Sequence, residues 1–301
     1  MELRFIKDYM KDSALRHTLN KLTEETFGFN FETWVTNGYY EGDYIPYSYE
    51  ENGRLIANVS VNRMEFIQNG QEKHYIQLGT VMTGKEFRNR GYASELIEKV
   101  LADYVGKCDG IYLFGNLNAL GFYDKMGFSR GMQYQYILKN DARIALQKKA
   151  RELDKTDCFL PVDPAEQLPK NRYMDAVRHS AANAALEQKN KYGLQMFHTA
   201  GMEQVYYSRK LDCYVVMEEQ NRTLYLQSVT CTKRIRLEQV LAHIRGEYDR
   251  MILGFAPCIE DADLLDAQLY DGKDDYRLFY YGEELERIET EKLFFPVFSH
   301  A

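Results

Sequence analysis

Two Asn-Gly pairs, Asn52-Gly53 and Asn69-Gly70, stand 17 residues apart among segments rich in β-branched and aromatic residues. The tightest hairpin turns need positive φ at their central positions, which Asn and Gly tolerate best. The pairs therefore predict an antiparallel meander of three strands at 44–49, 55–68 and 74–83. A strand at 3–9 and a helix at 13–26, with Leu15, Leu19 and Leu22 on one face, precede it. A second helix is expected at 92–104, where Ala93, Leu96, Ile97, Val100, Leu101 and Tyr104 recur at helical spacing. A buried strand at 111–114 follows. A meander feeding a strand–helix–strand crossover is an α+β layout: a mixed central sheet with flanking helices and a parallel pair at its centre.

At 301 residues the chain is long enough for two domains. Pro161, Pro164 and Pro169 cluster just after a charged stretch, 141–157, that reads as a solvated helix. The expected division is a domain at 1–145, a helical and proline-rich linker at 146–165, and a second domain at 166–301. A kinked loop inside one large domain is the alternative. The second part repeats the order strand, strand, helix, strand at 211–218, 223–230, 237–248 and 251–255. Further strands are expected at 276–281 and 293–298.

Composition works mostly by exclusion. With 45% apolar and 28% charged residues the chain has material for a core beneath a solvated surface. A net charge of −7 sets up no global field for nucleic acid or anionic lipid, so neither is an expected partner. No apolar run reaches the ~18 residues of a membrane span, and the first residues lack a secretory apolar core. Cys108, Cys158, Cys213, Cys231 and Cys258 form no C-x-x-C pair, and the six histidines are scattered, so no metal site is expected. Free buried thiols suit a reducing compartment, which makes the cytoplasm the expected location.

One chemistry is written locally. Between the third meander strand and its helix lies Arg88-Asn89-Arg90-Gly91-Tyr92-Ala93. A basic turn into a helix start aims free backbone N–H groups and the positive end of the helix dipole at one point. Gly91 and Ala93 leave room for an anion, and Arg88 and Arg90 can pair with phosphate. The turn lacks the G-K-[ST] of a Walker loop and is not G-x-G-x-x-G. A solvated helix start is the plainer reading of the hexamer by itself.

The hexamer fits R/Q-x-x-G-x-G/A, and Leu78-Gly79-Thr80-Val81-Met82-Thr83 precedes it. Downstream, the segment from Asn116 through Ala119, Phe122, Tyr123 and Gly127 to Phe128 fits N-x-x-A-x-x-F-Y-x-x-x-G-F. Together these resemble the GCN5-related N-acetyltransferase (GNAT) superfamily over residues 1 to about 140. The resemblance implies a GNAT-like mixed sheet and acetyl-CoA as cosubstrate. Backbone groups of Val81, Met82 and Thr83 would meet the pantetheine arm, Arg88 to Ala93 the pyrophosphate, and Asn116 the arm from the opposite strand. Tyr123 would protonate the departing thiolate, unless it is only an aromatic in a helix–strand junction.

Other roles stay open. Glu72 and His74, as base candidates, read equally as solvated strand residues. Two-domain members similar to the enhanced-intracellular-survival acetyltransferases bring a C-terminal carboxylate into the site, so Ala301 and His300 are also candidates; a last strand completing the second domain is the alternative. At the position equivalent to the anion turn, the second half has 230–237 with Ile235 and no glycine. It resembles a degenerate GNAT-like α/β domain that shapes the acceptor pocket or a dimer surface, leaving a homo-oligomer open. Phe29, Phe31, Trp34, Tyr39, Tyr40, Tyr44 and Tyr47, with Glu32, Glu41 and Asp43, either hold an amine acceptor or pack as core. The expected activity is acetyl transfer to a primary amine of a small molecule or peptide by direct attack in a ternary complex. No cysteine in either motif suggests an acyl-enzyme. A non-catalytic acyl-CoA-binding regulatory module is the competing expectation.

Overall fold

The computed structural model describes residues 3–272 and 276–301. The first half runs β1 (Leu3–Lys7), α1 (Ser13–Phe27), α2 (Glu32–Thr36), β2 (Tyr44–Glu51), β3 (Arg54–Gln68) and β4 (Gln71–Thr83). It continues through α3 (Tyr92–Tyr104), β5 (Gly110–Gly115), α4 (Leu120–Lys125), β6 (Ser129–Gly131), β7 (Gln133–Leu138) and α5 (Asn140–Glu152). Both Asn-Gly turns have the expected backbone: Asn52 and Gly53 at φ 52° and 79°, Asn69 and Gly70 at 46° and 84°. Asp12 caps α1 by accepting from the amides of Ala14 and Leu15, and Gly28 ends it at φ 80°.

The second half contains β8 (Leu160–Pro161), α6 (Gln167–Arg178), β9 (Leu186–Gln188), α7 (Tyr192–Thr199) and β10 (Val205–Ser208). Then come β11 (Cys213–Gln220), β12 (Thr223–Thr230), α8 (Leu237–Leu241), β13 (Arg250–Leu253), β14 (Leu265–Tyr270), β15 (Arg277–Tyr281) and α9 (Arg287–Thr290). Two mixed sheets result, each with one parallel pair: β4 with β5 in the first, β12 with β13 in the second. The expected α+β architecture therefore holds twice over.

The expected cut at 145–165 does not separate the sheets. The first sheet has the order β1-β2-β3-β4-β5-β15-β6, and the second the order β14-β7-β13-β12-β11-β10-β8. Strand β15, from near the end of the chain, lies between β5 and β6, while β7 lies between β13 and β14. The second half lends the first sheet β15 and also β9, which pairs with β3, and the first half lends the second sheet β7.

Other expectations are corrected. The helix expected at 237–248 stops at Leu241; Ile244 and Tyr248 are buried from an irregular segment instead. Arg143 and Gln147 of α5 donate to the Tyr248 carbonyl oxygen at 2.8 and 2.9 Å and fix that path. Residues 293–298 form no strand. Pro296 has no N–H to give a ladder, and Phe295 donates its amide to the Gln133 side chain at 2.9 Å. The proline cluster also hides structure: Pro161 lies on edge strand β8, and Pro169 falls in the first turn of α6, where a missing donor costs nothing. Helix α5 is not wholly solvated, since Leu146, Gln147 and Ala150 are buried.

Candidate active site

Strands β4 and β5 pair in parallel from Tyr75 with Gly110 to Leu78 with Leu113, and there the pairing stops. Beyond that point β4 stays bonded to β3, with a bulge that sets Thr80 and Val81 against Val59 alone. Thr80 adopts φ 42°, uncommon for a β-branched residue and strained by ~1–3 kcal/mol. A chain of hydroxyl and amide groups holds it. Thr80 Oγ1 lies 2.7 Å from the Tyr44 hydroxyl and donates to Ser60 Oγ at 2.8 Å. Asn58 donates to the Thr80 carbonyl oxygen at 3.0 Å, and the chain continues inward through Ser48 to Tyr9. The strained bulge keeps the strands parted.

The gap opens into a cavity of about 280 Å³. Gly79, Thr80 and Val81 form one side, Phe114, Gly115 and Asn116 the other, with Ala119 and Tyr123 between them. Tyr123 is only 5% exposed, and burial pushes its pKa up to about 12. The phenol is therefore protonated throughout the physiological range. Its hydroxyl has no hydrogen-bond partner among the described residues, leaving it free to donate. The ring packs on Phe279 of β15, with centroids 5.1 Å apart, and against Gly115. A Cβ at Gly115 would lie 3.1 Å from both rings. Gly115→Ala is expected to push Tyr123 aside, lowering kcat about tenfold and stability by ~1–3 kcal/mol; thiol-release kinetics and thermal melts check it.

The basic turn lies at the open end of β4. Gly91 begins α3 at φ 88° and no side chain caps this end. The first helical bond runs from the Glu95 amide to the Gly91 carbonyl oxygen at 3.0 Å. The amides of Tyr92, Ala93 and Ser94 thus meet no acceptor among the described residues. Arg88, Asn89, Arg90 and Gly91 are exposed, and nothing packs on them from outside. Arg88 donates to the Thr83 carbonyl oxygen at 3.2 Å and Arg90 to that of Glu86 at 2.9 Å, which keeps both guanidinium groups beside the turn. A side chain there would meet no protein atom nearer than Glu95 at 4.0 Å, so the space beside the turn is open. The glycine is required by its left-handed backbone.

The expected pantetheine strand divides its tasks. Val81 lines the cavity, whereas Met82 is buried against α1, its Sδ 3.9 Å from Thr23 Oγ1. The Thr83 carbonyl oxygen is occupied by Arg88. Glu72 and His74 lie at the far, paired end of β4; Glu72 is tied to Lys189 at 2.8 Å, and neither lines the cavity. Ala301 does line it, its carbonyl oxygen so near Gly79 that a Cβ there would approach within 2.9 Å. The imidazole of His300 stacks on Phe114 with centroids 3.8 Å apart, and loss of water pushes its pKa down to about 3. Its Nε2 has no hydrogen-bond partner among the described residues, but the lowered pKa makes it a weak proton acceptor.

A second chamber of about 220 Å³ adjoins the first and shares Phe29, Thr80 and Ala301 with it. Of the expected aromatic segment, Phe29, Phe31, Trp34 and Tyr44 line this chamber, while Tyr39 and Tyr47 are buried as core and Tyr40 donates to the Tyr44 carbonyl oxygen. The neighbouring acids do not enter it. Glu32 pairs with Arg16, Glu41 with Arg178, and Asp43 with Arg63. Phe197, His198, Tyr276 and Leu194 complete the walls from the second half. Sequence reasoning missed them because nothing local marks a residue that reaches across from another sheet.

The second sheet offers no equivalent anion turn. At α8 the amide of Leu237 donates to the buried Asp261 carboxylate at 3.2 Å, and that of Ile235 to the Asn183 side chain at 3.0 Å. Arg236 also pairs with Asp261. The chain's own carboxylate occupies the place an anion would take. Asp261→Ala should cost ~1–3 kcal/mol in thermal unfolding and leave coenzyme affinity unchanged, since the site lies in the other sheet.

Residues 10–128 match the model of the Acetyltransferase (GNAT) family. No curated protein matches the sequence. Among solved structures, a GCN5-related N-acetyltransferase from Kribbella flavida is similar with a TM-score of 0.58 at 15% identity, covering 94% of this chain and 73% of the other. A conserved protein from Enterococcus faecalis, described as a probable N-acyltransferase, gives 0.57 at 14% identity, with 95% and 74% covered. Eis1 from Mycobacterium abscessus gives 0.53 at 14% identity, with 92% and 72% covered. At such identities the likeness is one of fold, and it extends through both halves.

Proposed function

We propose, from the match of residues 10–128 to the model of the Acetyltransferase (GNAT) family, that this protein moves an acetyl group from acetyl-CoA to a primary amine by direct attack in a ternary complex. The observation that carries the reading is the parting of β4 and β5 beside a protonated Tyr123, with uncapped helix amides at its outer end.

The free amides of Tyr92 to Ser94, with Arg88 and Arg90, suit the pyrophosphate. The unpaired edge of β4 around Val81 suits the pantetheine amides as a strand-like ligand, with Asn116 facing it across the gap. Acetyl-CoA supplies the activated thioester. A neutral amine attacks its carbonyl carbon from the second chamber, and the bond to sulfur breaks as the tetrahedral intermediate collapses. Tyr123 donates its proton to the leaving sulfur. The amine nitrogen becomes acidic once the new bond forms. Where Ala301 is the terminal residue, its carboxylate suits that proton; His300 lines the same chamber, but burial lowers its basicity.

The test is direct. Calorimetry should detect acetyl-CoA binding, and a primary amine should release free thiol in step with acetylated product. Binding without thiol release for any amine would instead fit an acyl-CoA-binding module.

A further inference from the structure

The second chamber has an unusual balance of groups for an amine site. Its walls are aromatic faces in mutual contact: Phe31 with Tyr44 at 4.8 Å between centroids, Trp34 with Phe197 at 5.8 Å, Phe31 with Phe197 at 6.1 Å. No Asp, Glu, Lys or Arg side chain is among the described residues that line it. The three acids nearest in sequence are paired with arginines elsewhere. Most polar atoms of the walls are engaged, although His300 Nε2 has no hydrogen-bond partner among the described residues. Trp34 Nε1 donates to the Gly193 carbonyl oxygen at 2.8 Å, the Tyr44 hydroxyl is bonded to Thr80, and His198 Nε2 lies 3.0 Å from the His300 carbonyl oxygen. His300 itself is uncharged at neutral pH.

We propose that the acceptor is a primary monoamine on an aromatic or otherwise apolar body, of the arylalkylamine class, rather than a polycation or an amino sugar. This rests on the acetyl-transfer reading above. The amine end points toward Thr80 and Ala301, where the chamber meets the thioester cavity, and the apolar body lies against Trp34 and Phe197. Aromatic faces favour an aryl group by area and edge-to-face contact, and they tolerate one ammonium on approach. A polyamine or aminoglycoside would bring further ammonium groups, and hydroxyls in the second case, to walls with no side-chain carboxylate and few free acceptors. Desolvated polar groups left unpaired discriminate strongly. Because Phe197 and Leu194 come from α7, the second half sets the selectivity.

The experiment measures kcat/KM by thiol release for phenylethylamine, tryptamine, hexylamine, spermidine, kanamycin and a lysine-containing peptide, with acetyl-CoA affinity measured separately. The arylalkylamines are expected to exceed spermidine, kanamycin and the peptide by about 100-fold or more. A preference for a polycation, amino sugar or peptide overturns the proposal. So does an absence of turnover with every amine while acetyl-CoA binds, which leaves the coenzyme site standing. No acetyl-CoA binding at all removes the acetyl-transfer reading together with it. Phe197→Glu, on a half-buried position and checked for folding by circular dichroism, adds a carboxylate to the chamber. It should reduce the arylalkylamine-to-spermidine ratio at least tenfold with unchanged acetyl-CoA affinity; an unchanged ratio in a folded variant overturns the placement of the acceptor.

Discussion

Tyr123→Phe lowers kcat on the order of 10²-fold, the usual worth of a positioned proton donor, while the dissociation constant for acetyl-CoA stays within about twofold. The substitution is clean because the hydroxyl bonds to nothing else, so its removal orphans no buried group. The ring contacts with Phe279, Phe128 and Gly115 persist in phenylalanine. Thermal stability should therefore change little, which separates loss of chemistry from loss of fold. With its pKa raised to about 12, the phenol also gives the wild-type rate no alkaline fall below roughly pH 11. A Phe variant with full turnover would remove Tyr123 from the mechanism.

Gly91→Val weakens acetyl-CoA binding at least tenfold, measured by calorimetry. Its cause is the backbone. A β-branched residue at φ 88° costs ~1–3 kcal/mol, so the turn relaxes toward negative φ and the amides of Tyr92 to Ser94 swing off their common target. Gly91→Ala carries the same left-handed backbone cost with a smaller side chain, so the backbone argument predicts that Ala already loses most of the affinity. Unchanged affinity in both variants would reject the turn as the anion site.

The sheet order around the site was legible where pattern is local. The Asn-Gly turns, the α3 periodicity and the apolar run of β5 specify a meander and a crossover without help from distant residues. The motifs also named Tyr123, Arg88 and Gly91, which lie in the wall of the gap and at the start of α3. Other features were not. A positive φ at Thr80 contradicts its propensity and exists only because Ser60, Asn58 and Tyr44 enforce it. Glu32, Glu41 and Asp43 looked like amine ligands by proximity in sequence, yet Arg16, Arg178 and Arg63 claim them. The alternation in 277–281 announces a strand but carries no address, so its insertion beside β5 could not be read.

That insertion has a consequence for biosynthesis. Ile111 waits for Tyr281 as its partner across the β5–β15 ladder. At ~5–20 residues per second, translation separates the two by roughly 10–30 s. Throughout that interval the nascent sheet presents an open edge at the strand that flanks the catalytic gap, the kind of edge that recruits foreign strands. Chaperone demand should therefore peak late in translation, and a ribosome halted before residue 281 releases a chain with both signature motifs and no working enzyme.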